Sequence, residues 1–235
     1  MAEENVEVKD EKKKFFSENR IELLCAIFLG ITALLTAWAT WIGSLHGGNQ
    51  ATNYTKSNNL ASEGNSEYNS GLQNYLSDLM AYNTMVEYTF EQEIAEQEND
   101  TAKAKLIEEK LENYMNENGT EIIHEALEWA EKNNADSPYD MPGIYDKYFE
   151  EANALLEESR ALLKEGQQDN TNGDTYNLVN VIYSLVLFLL GIVGIFKKLP
   201  NRVVLLGIAV VALIAATIYM FTIPMPTGFS LGNYF

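Results

Sequence analysis

Apolar and polar positions segregate into long blocks along this chain. Three stretches carry no charged residue: residues 23–45, 175–196 and 203–235. A helix that crosses a bilayer needs roughly 20 consecutive apolar residues. The pattern therefore predicts three transmembrane helices, at residues 21–45, 177–197 and 203–223. The first could be read as a cleaved signal, because Lys12–Lys14 and Arg20 precede it and Ala37-Trp38-Ala39 imitates a cleavage site. The apolar run continues past that site through Trp41 and Ile42, as a retained span with an interfacial aromatic belt does.

Between the first two spans the period changes. Tyr54, Ala61, Tyr68, Tyr75 and Tyr82 recur every seven residues, and Asn58, Asn65, Leu72, Leu79 and Val86 repeat that spacing with an offset of four. Apolar residues in such a pattern are the mark of a coiled-coil seam. The reading assigns self-association to Tyr54, Ala61, Tyr68, Leu72, Tyr75, Leu79, Tyr82 and Val86, with the asparagines as polar core positions. Gly64 and Gly71 weaken helix and predict a looser first half. A turn is expected at Asn99-Asp100, then a helix over residues 101–116. Asn118-Gly119 ends it, and Thr120 caps a third helix. Pro138 and Pro142 break the chain again. A last helix starts near Gly143, with Tyr148, Leu155 and Leu162 in one series and Tyr145, Ala152 and Ser159 in the other. Both series run on through Gly166, Asp169, Gly173 and Tyr176, but their apolar character fails over residues 166–174, which predicts a break or polar linker. Alternation at period two, the signal of a strand, is absent.

The expected fold is an all-α membrane protein: three transmembrane helices with an extracytoplasmic antiparallel helical bundle or coiled-coil stalk. The domains follow as a cytoplasmic N-terminal tail (1–20), a first span (21–45), a helical extracytoplasmic domain (46–176), a second span (177–197), a cytoplasmic turn (198–202), a third span (203–223) and an extracytoplasmic tail (224–235). Orientation comes from the positive-inside rule. Lys12, Lys13, Lys14 and Arg20 lie before the first span, and Lys197, Lys198 and Arg202 lie between the second and third. Three spans put both clusters on one side, the cytoplasmic one.

Charge sharpens the picture. The chain carries a formal net charge of −18, and residues 45–176 hold 27 Asp and Glu against 8 Lys and Arg. Binding a nucleic-acid backbone needs the opposite sign, so nucleic acid is excluded as a partner. Docking on anionic lipid headgroups is disfavoured for the same reason.

Candidate chemistry is sparse. Ala26, Gly30, Ala33 and Ala37, with Gly191 and Gly194, are small residues suited to close transmembrane helix packing. Thr32, Thr36 and Thr40 form a hydroxyl stripe: either pore-lining, or bonded to carbonyls of their own helix. No charged residue lies in the apolar stretches 23–45, 178–196 and 203–223 to mark an ion path. Glu121-Ile-Ile-His124 is one E-x-x-H match, with Glu125 and Glu128 nearby, where a di-iron bundle uses two such motifs. No metal or other cofactor is expected. Cys25, the one cysteine, has no intramolecular disulfide partner and is read as packing, and His46 is read as interfacial.

Two segments carry a resemblance. Thr36-Ala-Trp-Ala-Thr-Trp-Ile-Gly-Ser-Leu-His-Gly-Gly-Asn-Gln-Ala-Thr-Asn-Tyr54 and Ser137-Pro-Tyr-Asp-Met-Pro-Gly-Ile-Tyr145 resemble an uncharacterised prokaryotic membrane-protein family. Its members have one N-terminal span, a helical extracytoplasmic domain and a C-terminal transmembrane hairpin. His46 departs from that pattern, where a tryptophan is expected. The resemblance implies a prokaryotic envelope location and transfers no catalytic residue. The function expected is non-enzymatic: a binding or scaffolding domain shown outside the cytoplasm, with the lipid bilayer, further copies of the chain or other envelope proteins as partners. The alternatives are an oligomeric channel or transporter subunit, and a sensor that acts through a partner.

Overall fold

The computed structural model describes residues 18–233; the basic residues Lys12–Lys14 lie outside the described residues. All regular structure among them is helical: α1 (Glu18–Gln97), α2 (Thr101–Asn118), α3 (Glu121–Asn133), α4 (Ile144–Ile192) and α5 (Leu199–Met220), with short 3-10 turns at Pro138–Asp140, Val193–Ile195 and Leu231–Asn233. Three helices, α1, α4 and α5, each contain a segment long and apolar enough to cross a membrane. The chain divides into two compact units, Met1–Thr55 with Leu162–Phe235, and Lys56–Ala161.

In the first unit the three apolar segments share one core. Tyr176, Val179, Tyr183, Val186 and Leu190 of α4 are buried with Ile21, Ala39 and Ile42 of α1 and with Leu206, Ala209 and Leu213 of α5. The α4 residues recur at alternating three and four, the period that keeps one face of a helix against its neighbours. The Tyr183 hydroxyl lies 3.1 Å from Thr217 Oγ1, which satisfies its polar end inside the apolar layer.

The expected break at residues 166–174 does not occur, since α4 runs through it. Glycine costs a helix interior about 1 kcal/mol relative to alanine, yet here its missing side chain is used. A Cβ on Gly166 would stand 2.6 Å from the ring of Tyr54, and one on Gly43 would stand 3.3 Å from Cβ of Tyr176. Asp169 and Asn172 are buried beside them. The segment packs through small and polar residues, so an apolar period was the wrong signal to require.

In the second unit α1 and α4 run in opposite directions along a tight seam. Ser57 donates to the Ser159 carbonyl and Ser159 to the Ser57 carbonyl, both at 2.8 Å. A Cβ on Gly64 would meet Leu156 at 2.9 Å, and one on Gly71 would meet the carbonyl oxygen of Tyr148 at 2.1 Å. Asp78 continues the series and is fully buried. The seam positions Ser57, Gly64, Gly71 and Asp78 are therefore seven apart, each one residue ahead of the series Asn58, Asn65, Leu72 and Leu79. Asn58 and Asn65 are exposed, not core positions, and the glycines lie within continuous helix. Tyr75 does turn inward, with its ring 5.5 Å from those of Tyr145 and Tyr148. Ala81, Met115, Ile123, Ala126, Met141, Ile144 and Tyr148 complete the core.

Local chemistry sets the helix ends. α1 stops where Asn99 takes a left-handed φ of 61°, and the Asp100 N–H reaches back to the Ala95 carbonyl at 2.9 Å, closing the last turn. The Asp100 side chain then caps α2 by accepting from Lys103 N at 3.1 Å. Gly143, at φ +78°, turns the chain into α4.

Candidate functional site

Two buried ionisable centres stand out, one in each unit. In the first unit His46, 1% exposed, lies with Nδ1 2.7 Å from Asp169 Oδ1 and Nε2 3.1 Å from the Pro224 carbonyl oxygen. The Tyr176 ring stacks at 5.8 Å. A carbonyl oxygen only accepts, so Nε2 carries a proton. The short contact to Asp169 holds a second proton, whether drawn as imidazolium and carboxylate or as imidazole and carboxylic acid. Either form is neutral overall, which makes the pair tolerable in a buried setting. The pair fixes the segment after α5. Asn49 Nδ2 donates to the Thr227 carbonyl at 3.2 Å, and Phe229 meets Trp38 and Trp41 edge-on at 6.2 and 5.8 Å. Both imidazole nitrogens are engaged, and what the arrangement does chemically is tie α1, α4 and the 224–229 segment together.

The second centre is Asp78. Its carboxylate accepts from Thr120 N at 2.8 Å, from Thr120 Oγ1 at 2.5 Å and from the Tyr148 hydroxyl at 2.7 Å. Thr120 is the N-cap of α3 as expected, but its own side chain makes no capping bond. Asp78 of α1 takes that role, placing a negative charge where the helix dipole favours one. Burial first, and then the bond to Asp78, push the Tyr148 hydroxyl well above its ordinary titration range. Burial, followed by the nearby Asp78 charge, raises Tyr139 in the same way. The Tyr139 oxygen is buried without a hydrogen-bond partner.

The residues singled out in the sequence are dispersed. Thr32, Thr36 and Thr40 each donate to the carbonyl four residues earlier, at 2.7–2.8 Å. Only Thr32 is fully buried, and Thr40 also accepts from Asn180 at 3.2 Å. Ala26, Gly30, Ala33 and Ala37 are exposed, as are Gly191 and Gly194, and nothing approaches a Cβ built on Gly30, Gly191 or Gly194 within 4 Å. Packing within the chain uses another face of α1, through Cys25, Thr32, Ala39 and Ile42, while the larger Leu23, Ile27, Ile31 and Leu34 stay exposed. Tyr54 and Ala61 are half-buried. Tyr68 is exposed yet stacks on Phe149 at 4.7 Å, and Tyr82 packs edge-on against Tyr139 at 5.8 Å. Leu72 is exposed, while Leu79 and Val86 are half-buried. Around the E-x-x-H match, Glu125 pairs with Lys147 at 2.5 Å and Glu128 with Lys132 at 3.3 Å. Among the described residues no cluster of three or more His, Cys, Asp or Glu could hold a metal.

Sequence reading missed Asp78 and Asp169. The signal was available: Ser57, Gly64, Gly71 and Asp78 repeat at seven, and Asp169 continues the α4 series. Both were passed over because a charged residue is almost never fully buried unless paired, and each partner lies far away in sequence. Compared with known proteins, the chain matches no family model, no curated protein and no solved structure.

Proposed function

We propose that this chain is a non-enzymatic integral membrane protein that presents a helical binding or scaffolding domain outside the cytoplasm of a prokaryotic cell. The observation that carries the reading is the segregation of apolar surface from acid. The apolar segments of α1, α4 and α5 share one unit, and 27 of the 34 Asp and Glu fall between the first two of them in sequence. On this reading α1, α4 and α5 insert as the three spans, and Lys56–Ala161 is an antiparallel helical bundle. Lys197, Lys198 and Arg202 supply the cytoplasmic charge that orients the insertion. Arg202 also donates to the Gly194 and Phe196 carbonyls at 3.0 Å, neutralising the open end of the preceding helix. The non-enzymatic part is supported by the two buried centres. His46 and Asp78 make their bonds to groups that hold helices in place, which is the work of a scaffold.

Labelling a single cysteine tests the orientation. In a Cys25→Ser background, Glu98→Cys should react with a membrane-impermeant maleimide on intact cells. Reaction only after the membrane is opened would place the acidic domain inside and overturn the reading.

A further inference from the structure

α1 carries a second heptad stripe that α4 does not use. Leu72, Leu79 and Val86 recur at seven, and Leu76, Asn83 and Phe90 recur at seven four residues out of phase. Together they alternate at three and four, the spacing of one helix lying along another. Leu72, Leu76 and Phe90 are 39%, 46% and 64% exposed. The inward stripe through Gly71 and Asp78 already accounts for α4, and on the outward stripe Leu72, Leu76, Asn83 and Phe90 stay exposed while Leu79 and Val86 are half-buried at its edge.

We propose that this outward stripe pairs α1 in parallel with α1 of a second copy of the chain. Charge selects the occupant. From residue 68 to residue 86 the one charged residue is Asp78, and it is buried. Elsewhere the unit is densely acidic, so two copies repel except where they meet through this neutral face. Carboxylates border it only at its far end, where Glu87 and Glu93 flank Phe90, so a basic partner would gain more on the other sides of the unit. The seam is also self-complementary. Asn69 and Asn83 occupy equivalent positions within it, and an amide both donates and accepts, so two copies in register can bond to each other there. A polar residue at such a position fixes register and partner number at some cost in stability. Parallel alignment rests on the membrane reading above: α1 is one helix from Glu18 to Gln97, and copies inserted with the same topology run it in the same direction.

The full chain in liposomes, in a Cys25→Ser background, tests the pairing. Side by side in register, two copies of Asn83→Cys should be oxidised to an intermolecular disulfide by a mild added oxidant, which takes up the two electrons and two protons released. Asn74→Cys, exposed on the same helix but off the stripe, should remain monomeric under the same treatment. Leu76→Asp with Phe90→Asp should halve the detergent-corrected mass measured by light scattering while helix content by circular dichroism stays unchanged. Equal cross-linking at positions 83 and 74 overturns the pairing. A dimer that persists in the double variant overturns this face and leaves assembly through another. A monomeric parent chain overturns self-assembly altogether, with the membrane orientation still standing on its own labelling test.

Discussion

Gly71 lies where the backbones of two helices touch, and its neighbour there is a carbonyl oxygen that cannot swing aside. Gly71→Ala is expected to destabilise the folded chain by at least the ~1–3 kcal/mol typical of overpacking. Gly30→Ala, with open space around it, should leave thermal unfolding followed by circular dichroism unchanged or shift it upward, since alanine suits a helix interior better by up to about 1 kcal/mol. The tyrosines near Asp78 separate in the same way. Tyr148→Phe removes a donor from a buried carboxylate and should cost about 1–3 kcal/mol. Tyr139→Phe removes a buried hydroxyl that has no partner, and should be neutral or stabilising in the same assay. Both phenols are raised in the folded state, so the fold binds their protons more tightly than the unfolded chain does. Their contribution is complete below the ordinary tyrosine value of about 10 and is lost as pH rises above it. The part of the tyrosinate absorbance that Tyr139→Phe and Tyr148→Phe remove should therefore appear together with loss of helix in an alkaline titration. Independent ionisation of these tyrosines ahead of unfolding would contradict their burial.

At the level of elements, the boundaries legible in the sequence were those set by local chemistry. The Asn99-Asp100 turn, the Asn118-Gly119 stop and the start of α4 after Gly143 all depend on residues a few positions apart. The uninterrupted path of α4 through residues 166–174 was not legible, because its cause is Tyr54 and His46 on another helix. The same holds for the His46–Asp169 pair, whose members are 123 residues apart. His46→Leu should leave Asp169 buried without its partner and free the 224–229 segment, at a cost of roughly 3 kcal/mol. Emission from Trp38 and Trp41 should shift to the red as Phe229 leaves them, and amide exchange across residues 225–229 should quicken. Adding Asp169→Leu should recover much of the lost stability, since an apolar pair often replaces a buried ionic one without penalty. A double variant no better than the single one would show that packing around the imidazole, and not the uncovered carboxylate, sets the cost.

For the whole molecule the dominant number is the charge of −18, and this was the property most legible from sequence, because it is a sum and needs no partner. Twenty-seven acidic residues against 8 basic ones between positions 45 and 176 repel one another in the folded state. Salt screens that repulsion over a Debye length of ~10 Å at 0.1 M. The melting temperature should therefore rise as sodium chloride increases from a few millimolar to a few hundred. A fall would mean that ion pairs such as Glu125–Lys147 outweigh the repulsion.

The seam between α1 and α4 in the second unit has a thermal consequence. Its contacts from Ser57 to Asp78 set hydroxyl bonds, a carboxylate hub and glycine backbones beside a few apolar contacts, Gly64 on Leu156, Tyr68 on Phe149 and Tyr75 against Tyr145 and Tyr148. Exposing apolar surface raises heat capacity and exposing polar surface lowers it, so opening this seam should raise heat capacity less than opening a wholly apolar seam of the same area. Helices held in that way lose less of their attachment on cooling than an oily interface would, and the α1–α4 seam should stay closed at temperatures where apolar packing elsewhere in the chain begins to slacken.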